Sequence, residues 1–265
     1  MSYEFRKLYS DRYLIWDLLR ETDPYYLNHH LFDTDMTAIE TDIAARQASG
    51  RVIPSYIAYT LAAYARTLTD FPELNSYLRI YPFTRLAVYD GVDIAITIER
   101  IWNGRRIILL GLLRDAQKLT VDEIQEFLRR WRDEPLESLD EFTRYRSLLR
   151  VPAFCRWYLF QIFCKPFPTL MRQMVGTTAF TSIGRHGTTF TTPLSPRTCT
   201  LSLGRVEPRP RVSTDKTGEE MLSYGSVRAA LSAWLTLTYD HRIIDGVDVA
   251  RAGDTIRTRI ERWSE

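Results

Sequence analysis

The sequence predicts a chain that mixes α-helices with β-strands. Three stretches carry this reading. Leu235, Leu237 and Tyr239 alternate with Thr236, Thr238 and Asp240, the period-two pattern of a half-buried strand. Ile53 to Leu68 is apolar on almost every side, as the helix at the centre of a core is. Leu86 to Ile101 and Ile107 to Leu113 add two more strand-like runs, so strands and helices are interleaved along the chain.

Taken in order, residues 3–22 mix aromatics with charges and read as an arm and then a helix that ends before Thr22-Asp23-Pro24. Tyr25 to Asp35 reads as a strand. His29 and His30 fall on its opposite faces, so they cannot share one metal site. Thr37 to Ala48 is an amphipathic helix ended by Gly50. The helix of Ile53 to Leu68 takes Pro54 at its first position and stops at Phe71-Pro72-Glu73. Asp90-Gly91 is placed as a hairpin turn. Val121 to Trp131 is a helix whose N-cap is Thr120, with Glu123 closing a capping box, and Glu137 to Leu149 forms another. Val151 to Val175 is apolar and aromatic. It reads as a helix broken at Pro166, buried or in contact with a second copy. The alternatives are the wall of a substrate pocket and a shallow membrane contact, although Lys165 and Arg172 are few for a basic anchor.

Composition narrows the function. With 265 residues, 45% of them apolar, the chain can bury one large core. Its formal charge is only +2 and no long basic run exists, so nothing supports nucleic-acid binding. Cys155, Cys164 and Cys199 lack the paired spacing of a zinc site; a sparse, odd count reads as reduced and cytoplasmic, with no bound metal. The charged N-terminal residues are no secretory signal, and the absence of any run of 18 apolar residues predicts no membrane span.

The chemistry concentrates at one junction. The strand that ends in Asp240 runs straight into His241, and Asp245 and Gly246 follow. Beyond them Val249, Ile256, Ile260 and Trp263 recur at helical spacing. An imidazole held between a strand end and a helix start is fixed in place, and histidine accepts protons near neutrality. Asp245 suits a turn or a salt bridge there, and Gly246 a sharp bend.

The longer string Y-D-H-R-I-I-D-G resembles the catalytic signature of the dihydrolipoamide acyltransferases, the E2 components of 2-oxo acid dehydrogenase complexes, which are related to chloramphenicol acetyltransferase. Two more stretches match in the same order. Thr34 to Leu78, with T-D-M-T and F-P-E-L-N, is similar to the family's "D-V-T" strand and "F-P-E-L-N" helix end. Thr177 to Pro210, with F-T-S-I-G and S-L-G-R-V, is similar to its "F-T-I-S-N-L-G … G-V-G-R-I" segment. Together they cover a little under half of the chain. Val151 to Val175 departs from the pattern, and no Ala/Pro-rich linker or lipoyl region is present in the sequence.

The resemblance implies a single acyltransferase catalytic domain over 1–265, without lipoyl or subunit-binding domains, of the α/β class (α+β type), folded as a mixed β-sheet flanked by helices in the manner of chloramphenicol acetyltransferase. It implies acyl transfer between CoA, bound as the acyl-CoA co-substrate, and an acceptor molecule. His241 is then the general base on the thiol, and Asp245 pairs with an arginine to hold the histidine loop; Arg6, Arg12 and Arg20 are the candidates. A hydroxyl stabilises the oxyanion. One register of the alignment makes it Thr181 and the other Ser182; adjacent strand residues face opposite ways, so only one serves, and Thr181 keeps the family spacing to Gly184, Gly187 and Pro193. The resemblance further implies a homotrimer, itself free to assemble further, with active sites between subunits. The alternatives are a core subunit whose lipoyl group sits on another chain, and a non-catalytic scaffold.

Overall fold

The computed structural model describes residues 10–264 apart from 81, 185–186 and 213–226. Its longest strand is β9 (Val227–Asp240), the one that leads to His241. On one edge β9 pairs antiparallel with β1 (Leu27–Asp35). Its other edge takes β8 (Glu207–Val212) and then β7 (Cys199–Leu203), both antiparallel. Beyond β7, β6 (Thr178–Ser182) and β4 (Ile94–Trp102) continue parallel, and β5 (Arg105–Leu113) returns antiparallel to β4. The described residues thus form a seven-stranded mixed sheet of order β1-β9-β7-β6-β4-β5, with β8 beside β9. The mixed sheet and flanking helices expected from the sequence are what the chain adopts. A separate ribbon pairs β2 (Ser76–Arg79) with β3 (Arg85–Val88).

One face of the sheet carries the core. Leu235, Leu237 and Tyr239 of β9 pack with Leu201 of β7 and Phe180 of β6 under α3 (Tyr56–Asp70) and α8 (Gly246–Glu261). Helix α3 is buried along most of its length, as its apolar sequence requires. It starts later than Pro54. The hydroxyl of Ser55 accepts the N–H of Ala58, and Ser55 itself donates from its backbone N–H (2.8 Å) and hydroxyl (2.9 Å) to Gln125. A serine that satisfies an orphan helix donor outranks a proline as a start. The capping box of Thr120 and Glu123 opens α4 (Val121–Asp133) as expected. The helix expected at Glu137 begins three residues later, as α5 (Asp140–Arg150).

The hairpin lies elsewhere than at Asp90-Gly91. Strands β4 and β5 are joined by Asn103 and Gly104, at φ 49° and 72°. Two left-handed residues make the turn whose twist matches a hairpin. Gly91 instead permits a close approach, because a Cβ there would lie 2.4 Å from the side chains of Arg172 and Asp115. Both groups belong to a cluster around Asp93. Its buried carboxylate accepts Arg114 (2.8 Å), Arg172 (3.0 Å) and the Asp115 N–H (2.9 Å). Burial alone would raise the Asp93 pKa; the arginine and backbone donors outweigh it and hold the value below the usual carboxylate range. A depressed folded pKa gives stability that is present above the unfolded value and lost as pH falls through the folded one. Asp93→Ala is expected to cost about 2–4 kcal/mol at neutral pH, less than a fully buried pair because both arginines stay partly in water. The difference should shrink in acid. Denaturant midpoints of the two proteins at several pH values check this, and coincident midpoints at pH 7 would refute it.

The stretch from Val151 breaks at Pro166 as expected. Helix α1 (Ser10–Arg20) lies alongside α6 (Ala153–Leu159), which runs into a π-helical turn, Phe160–Cys164, before α7 (Pro168–Val175). Of the two expectations for this stretch, burial or contact with a second copy, the single chain does not supply the burial. Phe154 is 75% exposed, and Ile162 and Phe163 are each 60% exposed. Only its inner side is engaged, through Arg156 to Asp17 and Lys165 to Glu21.

Candidate active site

Strand β9 ends in a buried ion pair. Asp240, fully buried, receives the backbone N–H (3.1 Å) and the guanidinium of Arg242, which bonds both carboxylate oxygens. Arg242 in turn lies 4.8 Å over the ring of Tyr25, whose hydroxyl donates to the Pro196 carbonyl. The backbone N–H of Asp240 donates to Thr198 and that of His241 to Tyr26, each at 2.9 Å. These bonds fix the backbone on both sides of the imidazole while leaving the ring 43% exposed. A rigid peptide with an accessible ring is what a general base requires.

Asp245 is the N-cap residue of α8 by position, but its side chain caps nothing. Its carboxylate is 85% exposed and 3.8 Å from His241 Nδ1, beyond hydrogen-bond range. Among the described residues no arginine pairs with it. Arg20 instead stacks over Trp157, and Arg6 lies outside the described residues. The buried carboxylate–arginine pair at this loop is Asp240 with Arg242. The sequence carried that signal in D-H-R itself, where an Asx turn puts the arginine back over the aspartate. Asp240→Asn is expected to cost about 3–5 kcal/mol, since it leaves Arg242 facing a neutral partner in a buried place. Asp245→Asn should stay within about 0.5 kcal/mol of the parent. Thermal melts of both variants separate the two roles, and equal losses would contradict the assignment.

Thr181 and Ser182 sit at the end of β6. Ser182 shares the face of Thr178 and Phe180, towards the helices, whereas Thr181 looks the other way, its hydroxyl 3.4 Å from that of Thr97. Register then separates it from the histidine. Thr181 pairs with Ser202, and Ser202 with Thr236, five residues before His241. At about 3.3 Å per residue and 4.8 Å per strand, the two residues are about 16 Å apart along the strands and about 10 Å across them, or about 19 Å in all. One chain therefore does not bring Thr181 and His241 to one substrate.

The face that Thr181 occupies is a row of hydroxyls. Thr200 and Ser202 of β7 lie beside Thr238 and Thr236 of β9, all buried. Alternation in L-T-L-T suggested a solvated side for these residues. The segment before β7 covers it instead, where Ser202 donates to the Thr191 carbonyl and Arg205 to that of Thr188. At the outer edge His29 Nδ1 is 2.8 Å from the Thr238 hydroxyl, and burial lowers the His29 pKa, which favours the neutral ring. The hydroxyls of Thr200 and Thr236 have no hydrogen-bond partner among the described residues. No group of three metal-ligating side chains exists among the described residues. A hollow of about 380 Å³ at Asp35, Thr37 and Arg228 lies at the far end of β1 from His241.

Residues 171–265 match the family model of the 2-oxoacid dehydrogenases acyltransferase (catalytic domain). The chain is 42% identical over 88 residues to the dihydrolipoyllysine-residue acetyltransferase component of the pyruvate dehydrogenase complex of Mycobacterium tuberculosis, which is 32% of this chain and 15% of that protein. It is 34% identical over 209 residues to the component of the same name from Corynebacterium glutamicum, 78% of this chain and 25% of that one. The chain thus spans a quarter or less of these relatives' length. Among solved structures, a probable dihydrolipoamide acetyltransferase from Listeria monocytogenes superposes with a TM-score of 0.68 at 16% identity, covering 100% of this chain and 97% of the other. A chloramphenicol acetyltransferase gives 0.50 at 14% identity, covering 96% and 94%.

Proposed function

We propose that this chain, which has the fold of the 2-oxoacid dehydrogenase acyltransferase catalytic domain and matches that family's model over residues 171–265, transfers an acyl group between CoA and an acceptor. The observation that carries the reading is His241, half-exposed at a strand end whose backbone is fixed on both sides. Its imidazole takes the proton from the attacking thiol. A thiol of pKa about 8.5 needs only modest help from such a base. The thiolate sulfur bonds to the carbonyl carbon, and the carbonyl oxygen becomes an oxyanion. As the oxyanion collapses, the second thiol leaves as thiolate and recovers the proton from the imidazolium.

Thr181 fits the oxyanion donor better than Ser182, because Ser182 points towards the helices. Its separation from His241 makes the working unit more than one chain. We place His241 of one copy against Thr181 of the next, which a closed ring satisfies at every site; three copies is the arrangement the resemblance implies. Sedimentation of the purified protein should show a homotrimer or a multiple of it, and an active monomer would contradict this. The acceptor is tested directly. Acyl-CoAs are offered with thiol, alcohol and amine acceptors, dihydrolipoamide among them, and products are read by mass. Transfer to any acceptor supports the reading. No transfer from any acyl-CoA by the assembled protein would return the fold to a scaffold role.

A further inference from the structure

Thr181 has a hydroxyl neighbour on the adjacent strand. Strands β4 and β6 run parallel with Ile96 beside Phe180, so the residues that follow, Thr97 and Thr181, stand side by side on the face away from the helices. Their hydroxyl oxygens are 3.4 Å apart. An O–H···O bond spans roughly 2.5–3.0 Å, so the two hydroxyls hardly satisfy each other. Neither has another hydrogen-bond partner among the described residues. Ser202, beside Thr181 on β7, is committed elsewhere, because its hydroxyl donates to the Thr191 carbonyl. Thr97 and Thr181 are thus two O–H donors at one spot, the first exposed and the second half-buried, with no acceptor of their own.

We infer that Thr97 is a second donor to the oxyanion, an inference that rests on the reading of Thr181 as the first. Two hydroxyls of one copy then hold the negative oxygen, while His241 of the neighbouring copy handles the proton. Two oxygens 3.4 Å apart can both stand about 2.8 Å from a third placed between them, at an angle of about 75°. A carbonyl oxygen that gains charge has lone pairs for both donors. The donors are also set in advance. Threonine is stiff at χ1, and β4 is held by β5 on one edge and β6 on the other, so little has to move as the charge develops. On the β5 side Thr97 faces Leu110, which offers its hydroxyl no acceptor. The carboxylate on this face of β4, Glu99, lies two residues on, about 6.6 Å along the strand. Arg106 stands 3.5 Å from that carboxylate and offsets its charge.

Acyl transfer by the assembled wild-type protein is compared with that of Thr97→Val, Thr97→Ser, Thr181→Ala and His241→Ala. Thr97→Val removes the hydroxyl from an exposed strand position that valine suits, so melting temperature and assembled mass should stay as they are. Its kcat should fall about 10²-fold with KM within about twofold, because the bond forms in the transition state. Thr97→Ser should regain most of the rate, and a serine variant as slow as the valine one would overturn the inference. Single turnovers with enzyme in excess separate a donor from a mere support. Adding Thr97→Val to Thr181→Ala should slow transfer further, about tenfold or more, since each hydroxyl bonds the oxyanion itself. No further loss would make Thr97 only a prop for Thr181 and overturn the inference. Wild-type kcat in Thr97→Val, with transfer lost in His241→Ala, would overturn it as well and leave the acyl-transfer reading standing. Wild-type protein that accepts no acyl-CoA would overturn both.

Discussion

His241→Ala is expected to lower acyl transfer by about 10²–10⁴-fold, the range a positioned general base supplies. The folded chain should hardly notice. The ring is 43% exposed, and the bonds that shape the loop come from backbone groups and from Asp240 with Arg242, all of which survive truncation. The melting temperature and the assembled mass should therefore match the wild type. Added imidazole should return part of the lost rate, because a free base can enter the space the side chain leaves. Rescue distinguishes a lost proton acceptor from a disturbed loop. A variant as active as the parent would sink the mechanism, and one that falls apart would make His241 a packing residue.

How much of this was legible before the fold was known depended on whether the signal was local. The junction at His241 was readable because strand alternation, the turn and the helical repeat adjoin in sequence. The capping box at Thr120 was readable for the same reason, since its partners lie three residues apart. The hairpin went to Asp90-Gly91 although Asn103-Gly104 carries the same chemistry. Local composition cannot tell a turn from a place where Arg172 crowds the backbone from afar. The face of Thr236 and Thr238 was misjudged because a segment distant along the chain covers it. Asp245 drew attention by its spacing from the histidine, while Asp240 was counted as strand pattern; burial, which the sequence does not print, separates them. The stretch after Val151 was read as buried or in contact with a second copy, because apolar content says nothing about which side finds a neighbour within the chain.

Thr181→Ala is expected to cut turnover by about 10²–10³-fold with little change in substrate affinity, because the bond it donates forms in the transition state. Ser182→Ala should be nearly silent, since that side chain shares the face of Phe180. The separation of Thr181 from His241 supplies a stronger test than either variant alone. In each proposed site one copy gives the base and its neighbour the hydroxyl. A His241→Ala chain and a Thr181→Ala chain are each nearly inactive, but where the first presents its intact Thr181 to the intact His241 of the second, a complete site returns. Unfolding the two variants together and refolding them as mixed assemblies should therefore recover a sizeable fraction of wild-type turnover, while each refolded alone recovers none. If both groups served within one chain, no mixture could regain activity. A mixture as inactive as its components, with mixed assembly verified by mass, would remove Thr181 from the shared site and leave a backbone amide as the donor to seek.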